Sequence, residues 1–217
     1  MSLTEGAGRS DRIEHADALE WLARQPEGAA RVICFDPPYS RNKPPRGKWD
    51  GMGGSVYGPF EFIHRAMLAS SRALMRGGIL IGFCDWELLT DLGYIASISG
   101  LRNRTHLAWV QNYEGTGGIF SGSASPILIA SHISPDTVSP KGPKNWILAN
   151  GLRGRGTHPY EMPPVVIEYV LKRVCRPGDL ILDPFAGSGS SRTAAENLKM
   201  NLVWRGCDID ENYAEEN

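Results

Sequence analysis

Leu180-Ile-Leu-Asp-Pro-Phe-Ala-Gly-Ser-Gly-Ser-Ser191 is the stretch on which the fold turns. Its apolar triplet Leu180-Ile-Leu182 reads as a buried strand, and the Asp-Pro-Phe that follows stops it. Gly187 and Gly189 then let the backbone turn sharply ahead of a helix spanning about Ser191 to Leu198. A second strand, Leu202-Val-Trp204, comes directly after. Strand, glycine loop, helix and strand in this order form the repeating unit of a parallel sheet, whose ligands lie at the carboxyl ends of the strands.

The same alternation extends upstream. Arg31-Val-Ile-Cys-Phe35 is a short apolar run closed by Asp-Pro-Pro, the pattern of a buried strand ending in a turn. Phe60, Ile63, Met67, Leu68, Leu74 and Met75 fall near helical period, which predicts a helix from Phe60 to Met75 stopped by Gly77-Gly78. Ile79–Cys84, Leu107–Val110 and Ile127–Ala130 read as strands, with a short helix around Trp86 to Leu92. Pro163 and Pro164 suit a first helical turn, and Ile167, Val170, Leu171 and Val174 supply its apolar face. The expected fold is α/β, a doubly wound and mostly parallel sheet in one domain over residues 1–217.

Composition narrows the function. A chain of 217 residues that is 41% hydrophobic can bury one substantial core. No apolar run is long enough for a membrane span and Met1 to Asp11 has no apolar leader, so a cytoplasmic protein is expected. Cys34, Cys84, Cys175 and Cys207 are widely spaced, form no C-x-x-C pair and mostly lie in apolar runs; neither a disulfide nor a metal site is expected. His15, His64, His106 and His132 lack partner spacing for metal or a triad and are assigned structural roles. A net charge of −1 neither favours nor excludes nucleic acid, which responds to local clusters of Lys and Arg.

Asp36-Pro37-Pro38-Tyr39 carries the sharpest chemical signal, a tetrapeptide expected by chance in about one chain in a thousand of this length. An exocyclic amine has its lone pair delocalised into the ring and is a poor nucleophile until acceptors draw on its N–H groups. The Asp36 carboxylate and the Pro37 carbonyl can be those acceptors. Pro37 and Pro38 fix φ and lack N–H groups, so their carbonyls sit in a stiff extended turn. Tyr39 offers a ring on which an unstacked base can lie. The alternative is a strand-ending turn with a capping aspartate.

In the second motif the glycines admit a ligand close to the backbone, and the N-terminus of the next helix faces it. Gly206-Cys-Asp208 ends the following strand with a carboxylate where such folds bind the hydroxyls of a ribose. No Walker lysine is present, which favours a neutral or cationic nucleoside over a triphosphate; S-adenosylmethionine fits. A tight turn without ligand is the plainer alternative.

DPPY followed much later by DPFAGSGSS resembles the DNA amino-methyltransferases, in their beta-type order with the catalytic half ahead of the cofactor half. The resemblance spans nearly the whole chain, with Ala16-Asp17-Ala-Leu-Glu-Trp-Leu22 similar to the family's opening strand-helix junction and His158-Pro-Tyr-Glu-Met-Pro-Pro164 to its His-Pro segment. It implies a circularly permuted, seven-stranded methyltransferase sheet closed at one edge by an antiparallel pair. It further implies S-adenosylmethionine as cofactor, with Asp183, Pro184, Phe185, Gly187, Ser188, Gly189 and Ser190 around its methionine part and Asp208 on the ribose. Asp17 is placed near the adenine, although Asp17-Ala-Leu-Glu20 reads equally as a helix cap.

By the same resemblance the reaction is direct methyl transfer to a flipped base in DNA. Adenine N6 is favoured because the motif begins with Asp; N4 of cytosine is the alternative, and a degenerate cofactor- or DNA-binding module another. Carbon methylation of cytosine needs a Pro-Cys nucleophile, and no such dipeptide exists. A DNA-recognition insertion is expected at about 133–157, short here, with Lys141, Lys144, Arg153 and Arg155. Arg41, Lys43, Arg46 and Lys48, with Trp49 and Tyr57 nearby, form a second basic stretch. Departures include Tyr160, Glu161 and Met162 where the family usually has Thr, Gln and Lys. A homodimer and a cognate restriction endonuclease are compatible partners; a membrane is not.

Overall fold

The computed structural model describes residues 12–38, 58–112, 122–138, 141–150 and 162–214, and builds from them one eight-stranded sheet. Its elements in chain order are β1 (Ile13–His15), α1 (Ala18–Arg24), β2 (Ala30–Phe35), α2 (Gly58–Ala73), β3 (Leu74–Phe83), α3 (Leu89–Ile98) and β4 (Arg102–Val110). Then follow β5 (Ala124–Ser131), β6 (Trp146–Leu148), α4 (Pro164–Val174), β7 (Leu180–Asp183), α5 (Ser190–Asn197) and β8 (Val203–Asp208). The spatial order is β1-β8-β7-β2-β3-β5-β4-β6, with β5 alone antiparallel to its neighbours.

Burial on both faces explains why the central strands are continuous apolar runs. Val32, Cys34, Ile79, Ile81 and Ile181 pack with α4 and α5. Ile33, Phe35, Leu80 and Leu182 point the other way, into the layer of α1, α2 and α3. The chain leaves β2 toward β3 on one side and leaves β7 toward β8 on the other. Between these two strands lies the switch point of the sheet, where doubly wound folds open a crevice.

Three expectations need correction. The sheet has eight strands rather than seven, because β6 adds parallel to β4 and covers the edge that the antiparallel pair β4/β5 would have closed. Gly77 and Gly78 do not stop α2; they lie inside β3, which begins directly at Leu74. Their role is close approach: a Cβ on Gly78 would stand 2.6 Å from the Arg31 carbonyl oxygen, and one on Gly77 2.5 Å from Asp136 Oδ2. The helix expected at Trp86 to Leu92 starts at Leu89, after a turn in which Asp85 Oδ1 accepts from the Leu88 amide, and runs to Ile98.

Arg31, only 2% exposed, ties these parts together. It donates to the carbonyls of Val174 (2.8 Å), Gly77 (3.2 Å) and Asp136 (2.8 Å), with Asp179 Oδ2 at 3.5 Å from its Nε. Arg31→Met should strand buried carbonyl acceptors and lower stability by about 1–3 kcal/mol, read as a lower urea midpoint at unchanged slope. An unchanged midpoint would show that water replaces the guanidinium at no cost.

Candidate active site

Asp36 follows the last residue of β2, on the crevice side of the switch point. Pro37 is buried and Pro38 half-buried, so the turn is held from below, while the Asp36 side chain reaches solvent. Its carboxyl is nevertheless pushed up to about 7, first by desolvation and then by the charge of Asp183. The second of these causes is local, since Asp183 ends the adjacent strand β7. Tyr39 and the basic stretch from Arg41 to Lys48, with Trp49 and Tyr57, lie outside the described residues, as do Arg153, Arg155 and His158–Glu161.

Asp183 ends the neighbouring strand β7 and is 6% exposed. Its Oδ1 accepts from the Phe185 amide at 3.1 Å and its Oδ2 accepts from the Ser191 hydroxyl. Burial raises its pKa to about 6, against the lowering effect of those two hydrogen bonds. Pro184 is buried, with its carbonyl accepting from Cys207 Sγ at 3.4 Å. The Phe185 ring meets Phe35 edge-on at 5.4 Å and Phe62 at 6.0 Å, which anchors the loop in the core of the α1–α3 layer.

Gly187 and Gly189 have φ of +49° and +83°, a region that disfavours side chains, and a Cβ on Gly187 would meet open space. Its bare backbone therefore lines the crevice. Gly189 caps α5, whose first residue is Ser190; Ser188 and Ser190 are half-buried.

Asp208 ends β8 and braces the same loop, its Oδ2 accepting from the Gly187 amide at 2.8 Å and its Oδ1 from the Asp210 amide at 2.9 Å. Asp17 follows β1 at the same edge, joined to β8 through the Ala16 amide and the Asp208 carbonyl (3.0 Å). Of the two readings of Asp17, the cap is present: its Oδ1 accepts from the amides of Leu19 (2.9 Å) and Glu20 (3.2 Å). The four carboxylates 17, 36, 183 and 208 thus stand at the carboxyl ends of β1, β2, β7 and β8, which are parallel and contiguous in the sheet.

A groove of about 1050 Å³ lies at the opposite end of the strands, by the starts of β3 and β4, lined by Arg65, Arg72, Arg76, Arg102 and His132 among others. It contains none of these carboxylates. Arg72 and His132 are engaged there with backbone carbonyls, Arg72 with those of Leu22 and Gln25 (2.8 Å each) and His132 with that of Ser71 (2.9 Å).

The sequence reading missed two residues behind Asp183. Ser191 donates to it, and Trp204 Nε1 donates to Ser191 Oγ at 2.9 Å. All four cysteines are buried and free, and desolvation raises the pKa of each, so none is poised as a nucleophile. Among the described residues no group of His, Cys, Asp and Glu could hold a metal. No helix there is long and apolar enough to cross a membrane. The expected insertion at 133–157 contributes β6, where Lys144 Nζ sits 4.6 Å from the Trp146 ring and the Lys144 carbonyl accepts from Tyr169 (2.7 Å).

The profile of a family described as DNA methylase matches residues 134–217. This segment carries the glycine loop and Asp208 but not Asp36. The putative methylase YubD of Escherichia coli K12 is 24% identical over 93% of this chain and 86% of its own. Among solved structures, M1.HpyAVI in complex with SAM superposes with a TM-score of 0.70 at 20% identity, over 93% of this chain and 94% of that one. The chain thus has the fold of these methyltransferases and is similar to them along nearly its whole length. The cytosine-N4-specific PvuII DNA methyltransferase also shares the fold (TM-score 0.70, 16% identity, 91% and 81% covered). Asp36 and the glycine loop come from distant parts of this sequence, and the pairing of β2 with β7 makes them neighbours.

Proposed function

We propose that this protein transfers a methyl group from S-adenosylmethionine to an exocyclic amino group of a base in DNA, N6 of adenine in preference to N4 of cytosine. The observation that carries the reading is the convergence of Asp36, Asp183 and Asp208 at the carboxyl ends of three adjacent parallel strands. The residues fit the cofactor. Asp183 and Asp208 each keep lone pairs beyond those given to backbone and Ser191, and Gly187 leaves its backbone open on the same side. Asp183, Phe185 and Gly187, with Pro184, Ser188, Gly189 and Ser190 shaping the loop, would hold the methionine part, and Asp208 the ribose. Asp17 would flank the adenine while capping α1. When bound, the cofactor supplies an electrophilic methyl on sulfur.

The chain supplies the other half. Asp36, ionised, and the Pro37 carbonyl accept from the two N–H bonds of the target amine, turning its lone pair outward toward the methyl. Tyr39 stacks on the extruded base. Preference for adenine rests on Asp at the head of the motif; the shared fold with a cytosine-N4 enzyme supports the second reading. Digestion of methylated DNA to nucleosides decides between them: N6-methyladenine is expected, N4-methylcytosine would reassign the base, and no modified nucleoside would reject the activity.

Asp208→Ala should weaken S-adenosylmethionine binding about 5- to 150-fold by calorimetry, the value of a lost charged hydrogen bond. Asp208→Asn, which keeps an acceptor for the Gly187 amide, should lose less. Equal affinity for wild type and alanine variant would remove Asp208 from the site.

A further inference from the structure

We propose that Trp204 and Ser191 are positioning residues for Asp183, forming a one-way donor chain that fixes which lone pairs of its carboxylate face the cofactor. This rests on the cofactor reading above. The direction of the chain follows from donor inventory. An indole N–H only donates, so Ser191 Oγ must accept from Trp204, and its single proton is left to donate to Asp183 Oδ2. The Phe185 amide claims Oδ1 at 3.1 Å. Each carboxylate oxygen is thereby pinned by one donor from its own loop or helix, which leaves its other lone pairs to a ligand at the carboxyl end of β7. Ser191, Asp183 and Trp204 are 1%, 6% and 2% exposed, so water does not compete for these bonds.

The neighbouring sequence is shaped around the indole. A Cβ on Gly206 would stand 2.4 Å from two Trp204 ring carbons and 3.0 Å from the Asp183 carbonyl oxygen, so only glycine lets the ring lie along β8 under Asp183. From α5, the Arg192 guanidinium lies over the indole at 5.9 Å from the ring centroid.

The chain also governs charge. Asp183 faces two other carboxylates, Asp208 at the end of β8 and Asp36 at the end of β2, while the nearby thiols of Cys34 and Cys207 are kept uncharged by burial. The Ser191 hydroxyl and Phe185 amide are the donors that favour its ionised form against these neighbours and against burial. A cationic ligand needs that ionised form. Loss of the Ser191 donor must therefore weaken cofactor binding most where Asp183 is easiest to protonate.

The test uses the full chain with Ser191→Ala and Trp204→Phe. S-adenosylmethionine is titrated calorimetrically at pH 6.5 and 8.5, and the Asp183 carboxyl is followed by carbon-13 NMR against pH without ligand. For Ser191→Ala the expected results are an Asp183 midpoint about one pH unit higher than its value of about 6, and with it an affinity loss of about threefold at pH 6.5 that is largely recovered at pH 8.5. Trp204→Phe should move both readouts the same way by less, and carries the test if Ser191→Ala does not fold. An unmoved midpoint, or an affinity loss equal at both pH values, would overturn the proposal and leave Ser191 a packing residue. Wild-type protein that fails to bind S-adenosylmethionine would instead reject the cofactor reading, and the NMR midpoint would still decide the donor chain.

Discussion

Asp36→Ala is expected to reduce methyl transfer by about 10³-fold or more, while affinity for S-adenosylmethionine stays within several-fold. In the proposed reaction the carboxylate acts on the amine through hydrogen bonds that strengthen as the nitrogen pyramidalises, so its loss falls on the transition state and lowers kcat. The proposed cofactor contacts belong to the glycine loop and β8, which are braced by Asp183 and Asp208. Folding should not suffer. Asp36 is charged beside Asp183 in a desolvating cleft, so its removal relieves repulsion, and the variant should melt no lower than wild type at pH 8. Single-turnover transfer with saturating cofactor, set beside calorimetry, separates the two effects. Near-normal turnover would exclude Asp36 from the chemistry; a large loss of affinity with normal kcat would move it to the cofactor site.

The pH profile should show the same group. Asp36 must be ionised to accept from the amine, and its pKa stands at about 7. Transfer should fall about tenfold for each pH unit below that value and be flat above it, giving a difference of about 100-fold between pH 8 and pH 5. Stability runs the opposite way. The folded-state pKa of Asp36 lies above the ordinary 3.8, so between about pH 4 and 7 the folded protein binds more protons than the unfolded chain. Stability from this group is therefore lost as pH rises through that window. Asp183, at about 6, adds in the same direction over a narrower span. Asp36→Asn should flatten the stability profile and abolish activity. A rate profile level from pH 5 to 8 would mean that Asp36 titrates like an ordinary exposed carboxylate.

Local signals decided what the sequence revealed. Strands β2 and β7 are apolar runs terminated by Asp-Pro, and this punctuation by itself puts Asp36 and Asp183 at strand ends. Asp208 was legible without a proline, as the carboxylate of Gly206-Cys-Asp208 that closes the strand after the glycine loop. Gly77-Gly78 misled because two glycines after an amphipathic run look like a helix stop. Their actual role, close approach to Arg31 and Asp136, depends on a neighbouring strand and a residue far along the chain. β6 was missed because Trp146-Ile-Leu148 is short, lies among Lys, Gly and Pro, and takes its shape from pairing with β4. Ser191 looked like one more small residue of a glycine loop. Only the folding of α5 against β8 brings Trp204 to it, and no spacing rule joins positions 191 and 204.

Transfer of labelled methyl from S-adenosylmethionine to DNA, compared between wild type and Asp36→Ala at pH 8 and fixed salt, tests the central claim most directly. Fixed salt matters because phosphate contacts make DNA affinity salt-dependent. The account predicts incorporation into DNA by the wild type, carried on an exocyclic nitrogen after nucleoside digestion, and at least about 10³-fold less by the variant. Bound cofactor with no incorporation by the wild type on any DNA, or equal incorporation by both proteins, would contradict it.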